Sequence, residues 1–340
     1  IMTAILLEGE KKIGFLSIPS FYTSWETSSS VGCVNDVAKE LLKLQKENIE
    51  GLIIDLRFNG GGSLKEAIDL TGIFIDYGSI AIMSNAKGKP LLMKDFNRGR
   101  IYGGPLVVMI NGASASASEV FSGALQAHNR AVIVGSPSYG KSTGQVVLPI
   151  DTNFWNMRYN EATDFVKVTT SKLYNVDKSS HQAKGIQPDI SIPDLWQPFI
   201  PKESDEKYYL INDSIDKKSY YKPYPNLPIA DLKIKSDDGS LSSVVALLPP
   251  ESKSSIEDFD SRGTFFFNST IKGPQTKKSN PAVLVEFGLE GGKITSEKLG
   301  SSLKDVSFTA IFNNGKQRNN QNSSFEISDC KGYFNRELLE

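Results

Sequence analysis

Histidine and cysteine are almost missing from this chain. Among 340 residues there are two histidines, His128 and His181, and two cysteines, Cys33 and Cys330. That scarcity argues against a structural zinc site of the Cys/His type, which needs four such ligands. Two cysteines so far apart in sequence build no disulfide framework and say little about redox compartment. A serine nucleophile activated by histidine is starved of candidate partners. Excess charge is lacking too: 38 Lys and Arg face 39 Asp and Glu, a formal net charge of −1. No overall basic field exists to draw nucleic acid or anionic lipid. No apolar run approaches the roughly 18–20 residues that a membrane span needs. The opening IMTAILLEGEKK is too short and too charged for a signal peptide. Ile1 in place of Met is compatible with a processed product from which a signal or anchor was removed. There is no internal repeat and no low-complexity tract.

What is present reads as an ordinary soluble globular composition, 39% hydrophobic and 23% charged, with length for two or three domains. KKIGFLSIPSFY alternates apolar and polar residues up to Pro19 and reads as a strand. SSSVGCVNDVAKELLKLQKEN sets Val34, Val37, Ala38, Leu41, Leu42 and Leu44 largely along one helical face. Ser29 or Ser30 is its candidate N-cap. GLIIDLRF, PLVVMI and AVIVG are short continuous apolar runs, the mark of strands buried on both faces. The first two end in small-residue turns, NGGGS and NGASASASE, and enter the helices LKEAIDLTGIFI and EVFSGALQAH. This alternation predicts an α/β core with a largely parallel sheet.

Beyond Ile150 the rhythm changes. FVKVTTSKLY reads as a strand and KGIQPDISIP as an extended, Pro-bounded stop. A Tyr- and Pro-rich connector over 196–230 includes YYKPYPNLP, whose prolines prevent regular helix. From 231 to 340 the apolar runs are short and β-like: VVALL, TFFFNSTI, AVLVEFGL, VSFTAIF and SSFEI, separated by Gly, Asn and Asp. The expectation is a core over 1–195 and a separate β-rich C-terminal domain over 231–340, with no role legible beyond packing or partner docking.

GSPSYGKST, Gly135 to Thr143, fits the phosphate-loop pattern G-x-x-x-x-G-K-[ST]. Such a loop works because N–H groups of the loop and of the following helix converge on phosphate. It therefore needs a strand before it and a helix after it. AVIVG supplies the strand. STGQVVLPI, with Gly144, two valines and Pro149, is a poor helix and a fair strand. The pattern is a decoy, and a nucleotide hydrolase is the weakest of the readings.

Lys141 is then either a solvated loop lysine or the partner of something upstream. In NGASASASEVFSGALQ a strand runs through a turn of small residues into a helix, leaving room for a substrate backbone. Ser116 to Glu119 fits the capping box S-x-x-E, so capping alone explains that serine. The two roles are compatible, because a nucleophile at a helix N-terminus gains from the local positive potential.

SASASEVFSGALQAHNRAVIVGSPSYGKSTGQ resembles the active-site segment of the C-terminal processing peptidases, also called tail-specific proteases. DLRFNGGGSLKEAIDLTGIFI resembles that family's glycine-rich segment, KKIGFLSIPSFY the strand that follows its PDZ domain, and YNVDKSSHQAKGIQPDISIP the segment closing its core. The four blocks run in order from about Lys11 to Pro193. The resemblance implies a serine peptidase with a Ser/Lys dyad on a crotonase/Clp-protease-like fold, working without metal or cofactor. By position the nucleophile falls on Ser116, the general base on Lys141 and the supporting glutamine on Gln145. Ser114 and Ser118 fall outside the catalytic position, as turn and cap residues. The oxyanion donors fall on Ala117 and Gly61, with Gly60 and Gly62 as close rivals; a tight strand-to-helix connection explains the same glycines. Implied substrates are proteins or peptides, chiefly unfolded C-terminal segments, in a periplasmic or other extracytoplasmic compartment.

The chemistry suits these residue types. A serine hydroxyl is a weak nucleophile until a base takes its proton. Lysine serves only where its site disfavours the ammonium form, and burial among Tyr139, VIVG and VVLP is the expected means. Gln145, four residues on, lies on the same side of an extended segment and can orient the amine without adding charge. Gly140 and Gly144 would let the chain bend between them. Most family members carry a PDZ domain just before the strand that KKIGFLSIPSFY resembles, whereas here the match begins almost at Ile1; the expectation is that such a domain was cleaved or trimmed away, or that this member recruits substrate differently. A catalytically silent binding module and a crotonase-like acyl-CoA enzyme are the other rivals; the latter gives no reason for Ser116, Lys141 and Gln145 together.

Overall fold

In the computed structural model the described residues are 2–9, 11–23, 32–85, 90–150, 164–192, 194, 196–225, 230–240, 259–273, 282–296, 301–316, 322–334 and 337–339. They fall into two compact units, Ile1–Pro188 with Ile192–Pro225, and Asp189–Ser191 with Asn226–Glu340.

The first unit contains β1 (Thr3–Glu8), β2 (Lys12–Ser17), α1 (Cys33–Lys46), β3 (Gly51–Asp55), α2 (Leu64–Phe74), β4 (Gly78–Asn85), β5 (Pro90–Asp95), β6 (Leu106–Ile110), α3 (Ala117–Ala127), β7 (Val132–Gly135), β8 (Thr143–Pro149) and β9 (Phe165–Asn175). Its main sheet runs β1-β2-β3-β6-β7. β1 is antiparallel to β2, and the pairings β2–β3, β3–β6 and β6–β7 are parallel. A second, antiparallel sheet runs β5-β4-β9-β8 and leaves β8 on its edge. Apolar periodicity does not reveal β4 or β5. GSIAIMSN follows the helix LKEAIDLTGIF almost without a break, so the apolar residues merge into one run.

Helix α1 buries Cys33, Val37, Leu41 and Leu44, a single face at helical spacing. Leu42 points away from that face and is exposed. The N-cap is Gly32 rather than Ser29 or Ser30, which lie outside the described residues. Glu66 of α2 explains the choice: its Oε2 accepts the Val34 N–H at 3.0 Å, capping α1 from a neighbouring helix. A Cβ at position 32 would stand 2.3 Å from Glu66 Oε1, so only glycine admits this contact. The helix closes on Asn48, whose φ of 57° is the left-handed turn that asparagine tolerates best after glycine.

Phe21, Phe74 and Phe121 meet in the core, with Phe121 6.1 Å from Phe21 and 6.0 Å from Phe74. Phe121 is fully buried on α3. Burial of such a ring contributes about 1.5–3 kcal/mol, and this anchor fixes α3, whose N-terminus carries Ser116. Residues 196–225 are tied down in the same unit. Ser79 N–H donates to Tyr220 O at 3.2 Å, and Tyr224 N–H donates to His128 O at 2.8 Å.

The second unit is a six-stranded antiparallel sheet in sequence order: Ala230–Ser240, Phe259–Gly273, Ala282–Ser296, Ser301–Asn313, Ser324–Phe334 and Glu337–Leu339. TFFFNSTI, AVLVEFGL, VSFTAIF and SSFEI lie on these strands, while VVALL lies outside the described residues. Val283, Val285, Ala310 and Phe312 are buried and Leu284 and Ile311 exposed, the period of two expected of a half-covered sheet.

Candidate active site

Ser116 stands between β6 and α3 as the N-cap of the helix, with φ 58° and ψ −112°. A serine there costs on the order of 1–3 kcal/mol and persists only where its surroundings overdetermine it. They do. Ala115 N–H donates to Asn59 O at 3.0 Å, and Ser116 N–H donates to Glu119 Oε2 at 2.7 Å. The second of these is the glutamate half of the capping box. A strand–turn–helix that forces a serine into this conformation presents its hydroxyl at the turn's apex.

Ser114 and Ser118 serve the turn. Ser114 Oγ donates to Leu56 O and accepts the Asn111 N–H, at 2.8 and 2.9 Å. Ser118 Oγ donates to Asn59 O at 2.8 Å; it lies inside α3 and is not its cap. Both hydroxyls are buried and stitch the serine turn to the end of β3.

The glycine turn lies directly against Ser116. A Cβ on Gly61 would stand 2.9 Å from Ser116 Cβ, 2.8 Å from Ala115 O and 3.1 Å from Ala117 N. Gly61 has φ 104° and Gly62 φ 140°, conformations that glycine adopts at little cost. The Gly61 N–H is already occupied: it donates to Asn59 Oδ1 at 2.9 Å. Gly60 is exposed, with open space where a Cβ would be. The Ala117 N–H belongs to the first residue of α3, where a helix offers its own donors no partner.

Lys141 leads into β8, so a strand rather than a helix follows GSPSYGKST. No helix N-terminus is available there for phosphate. Lys141 Nζ donates to Gln145 Oε1 at 2.9 Å, and Gln145 Nε2 donates to Thr169 Oγ1 at 3.3 Å. A register shift between Gly144 and Gln145 in the β8–β9 pairing brings Thr169 opposite the glutamine. Gly140 makes the bend, at φ 100°, while Gly144 is not in the left-handed region. Burial, then Lys167, holds the Lys141 ammonium below its ordinary range, with Glu203 and Glu119 pulling the other way. The apolar residues of β8 do not enclose it as expected: Val146, Val147 and Leu148 are exposed. Tyr139, Thr143, Thr169, Glu203, Glu206, Tyr208 and Leu210 line a hollow of about 330 Å³ beside Lys141 and Gln145.

Both histidines are buried. His128 Nε2 lies 2.8 Å from Ser79 O, and burial lowers its basicity. Burial pushes His181 down to about 4, opposed only by the Lys141 backbone.

Asn59 had no signal in the sequence beyond its place before three glycines. It is fully buried; Nδ2 donates to Ile18 O at 2.7 Å, Oδ1 holds Gly61, and its carbonyl receives Ala115 and Ser118. One residue, through its side chain and its carbonyl, thus joins the end of β2, the glycine turn and the serine turn.

The chain is similar to the tail-specific protease of Haemophilus influenzae, 37% identical over 210 residues, covering 62% of this chain and 29% of that protein. It is also similar to the carboxy-terminal-processing protease of Bartonella bacilliformis, 33% identical over 190 residues, covering 56% and 41%. It therefore spans less than half the length of these relatives. Among solved structures it resembles the photosystem II D1 C-terminal processing protease, with TM-score 0.45 and 22% identity, covering 61% and 52% of the two chains. Residues 12–192, more than half of the chain, match the description "Peptidase family S41". This chain belongs to peptidase family S41.

Proposed function

We propose that the chain carries the catalytic core of a serine endopeptidase that cuts proteins near their C-termini, with Ser116 as nucleophile and Lys141 as general base. The observation that carries this reading is the Lys141 amine, held below its ordinary pKa and bonded to the neutral Gln145 on the loop beside the Ser116 turn. Only the free amine can accept a proton.

In the first step Lys141 Nζ takes the Ser116 hydroxyl proton while Oγ bonds to the scissile carbonyl carbon. The carbonyl oxygen becomes an oxyanion facing the Ala117 N–H and a donor from the 60–62 turn. The Gly61 N–H is engaged by Asn59 as the turn stands, so it serves as that donor only once released, and Gly60 and Gly62 are its rivals for the role. The Lys141 proton then passes to the departing amine as the C–N bond breaks. Water repeats the sequence on the acyl-serine and releases the second product. Gln145 holds the amine without adding a negative charge that would favour the ammonium.

The substrates are unfolded protein segments, and the workplace is an extracytoplasmic compartment. Family membership supports both. Incubation with casein beside a Ser116→Ala control tests the reading. Cleavage that is absent in the control supports it; equal cleavage by both removes it, and binding without cleavage by either favours the silent module.

A further inference from the structure

Glu119 lies in the first turn of α3 and is 1% exposed, yet its carboxylate receives four hydrogen bonds from two chain segments. Oε2 accepts the N–H groups of Ser116 and Lys141, at 2.7 and 2.9 Å. Oε1 accepts the Gly140 N–H at 2.7 Å and the Ser138 hydroxyl at 2.6 Å. A carboxylate has about four lone-pair sites, and here all are filled. Helix capping accounts for the Ser116 bond alone. The other three reach the loop between β7 and β8, where no helix end needs them.

We propose that Glu119 is a positioning residue, a buried carboxylate that holds the Ser116 turn and the Lys141 loop in register for proton transfer. The proposal rests on the Ser116–Lys141 reading above. Ser138 strengthens the clamp, because its Oγ also accepts the Ile186 N–H at 2.6 Å, which directs its own proton to Glu119. A proton on Glu119 has no vacant acceptor to point at and must displace one of the four donors. Register is then lost, and with it turnover. Burial pushes this carboxyl up to about 7 against the pull of its donors. The ionisable groups its charge reaches are Tyr139 and Lys141, and it favours the Lys141 ammonium, as Glu203 does and Lys167 opposes.

The test pairs an NMR titration of the full chain with kinetics on an unstructured fluorogenic peptide, for wild type and Glu119→Gln. The amide signals of Ser116, Gly140 and Lys141 should move together through one midpoint near 7, and this shared transition should vanish in the variant. The variant's kcat should fall about 100-fold, the scale of a small misplacement of reacting groups, while KM stays within about threefold. The rising limb of its pH profile should move to lower pH, which a merely structural role would not cause. Amides that titrate separately, or a variant within about threefold of wild-type kcat, would overturn the proposal. The amide readout needs no turnover, so it stands or falls apart from the peptidase reading, which Ser116→Ala tests alone. If Glu119→Gln does not fold, Ser138→Ala removes one donor and should raise the shared amide midpoint; an unmoved midpoint counts against the clamp.

Discussion

Ser116 and Lys141 present their main-chain N–H groups to the same atom, Glu119 Oε2, at 2.7 and 2.9 Å. Their backbone nitrogens can therefore be no further apart than two hydrogen-bond lengths. Twenty-four residues separate them in sequence, including all of α3 and β7. The fold, and not a local motif, brings them together.

Ser116→Ala and Lys141→Ala should each lower kcat/KM by at least about 10⁴-fold, and the double mutant should be no worse than the weaker single mutant. Lys141→Arg should fail equally, since guanidinium does not release its proton. Melting curves that match wild type would show that the loss is chemical. Turnover near the wild-type rate in any of the three would remove the dyad.

Because burial and Lys167 lower the pKa of Lys141, the rate should rise with pH as the amine loses its proton, with a midpoint below the ordinary 10.5. That limb should persist when both His128 and His181 are replaced. Its disappearance in the double variant would identify a histidine base.

His181 should also leave a mark on stability. Its folded pKa of about 4 lies below the ordinary 6.5, so the unfolded chain binds more protons between these values. The contribution is complete above about 6.5 and is lost as pH falls toward 4, on the order of 3 kcal/mol. Glu119 acts in the opposite sense: its folded value of about 7 lies above the ordinary 4.5, so its contribution is present below 4.5 and lost as pH rises through 7. Subtracting denaturation curves of His181→Asn from wild type isolates the histidine. A difference that does not change between pH 4 and 6.5 would contradict the buried, neutral ring.

The glycine turn offers a paired test. Gly61→Ala adds a methyl 2.9 Å from Ser116 Cβ at φ 104°, whereas a methyl on Gly60 meets nothing within 4 Å. Gly61→Ala should cost at least about 1–2 kcal/mol from backbone conformation alone and should also reduce kcat. Gly60→Ala should leave the melting temperature nearly unchanged.

ATP or GTP with magnesium should not raise the melting temperature, because β8 follows Lys141. Ligand at about 100 times its dissociation constant would add roughly 2.7 kcal/mol to a protein that binds it. A shift of that size would restore the phosphate-loop reading.

The α/β rhythm was legible because GLIID, LVVMI and VIVG are uninterrupted apolar runs, and each of the first two gives way to small residues and a helix. β8 was legible through its valines and Pro149. Leu42 misled because six apolar positions fill a wider arc than one helical face can bury. Asn59 and the cross-segment bonds of Glu119 were not legible: a hydrogen bond between residues distant in sequence leaves no periodicity. The occupied Gly61 N–H was hidden for the same reason, since it depends on where one asparagine side chain turns.

The φ of 58° at Ser116 has a consequence for anyone who selects this protein for heat resistance. Glycine suits that conformation best, so Ser116→Gly should unfold later than the wild type, by about 1 kcal/mol. The residue most comfortable at this position is one that carries no hydroxyl. With Ser116 as the nucleophile proposed above, folding and function would prefer different amino acids at one site, and a screen that rewards only survival on heating would drift toward inert molecules.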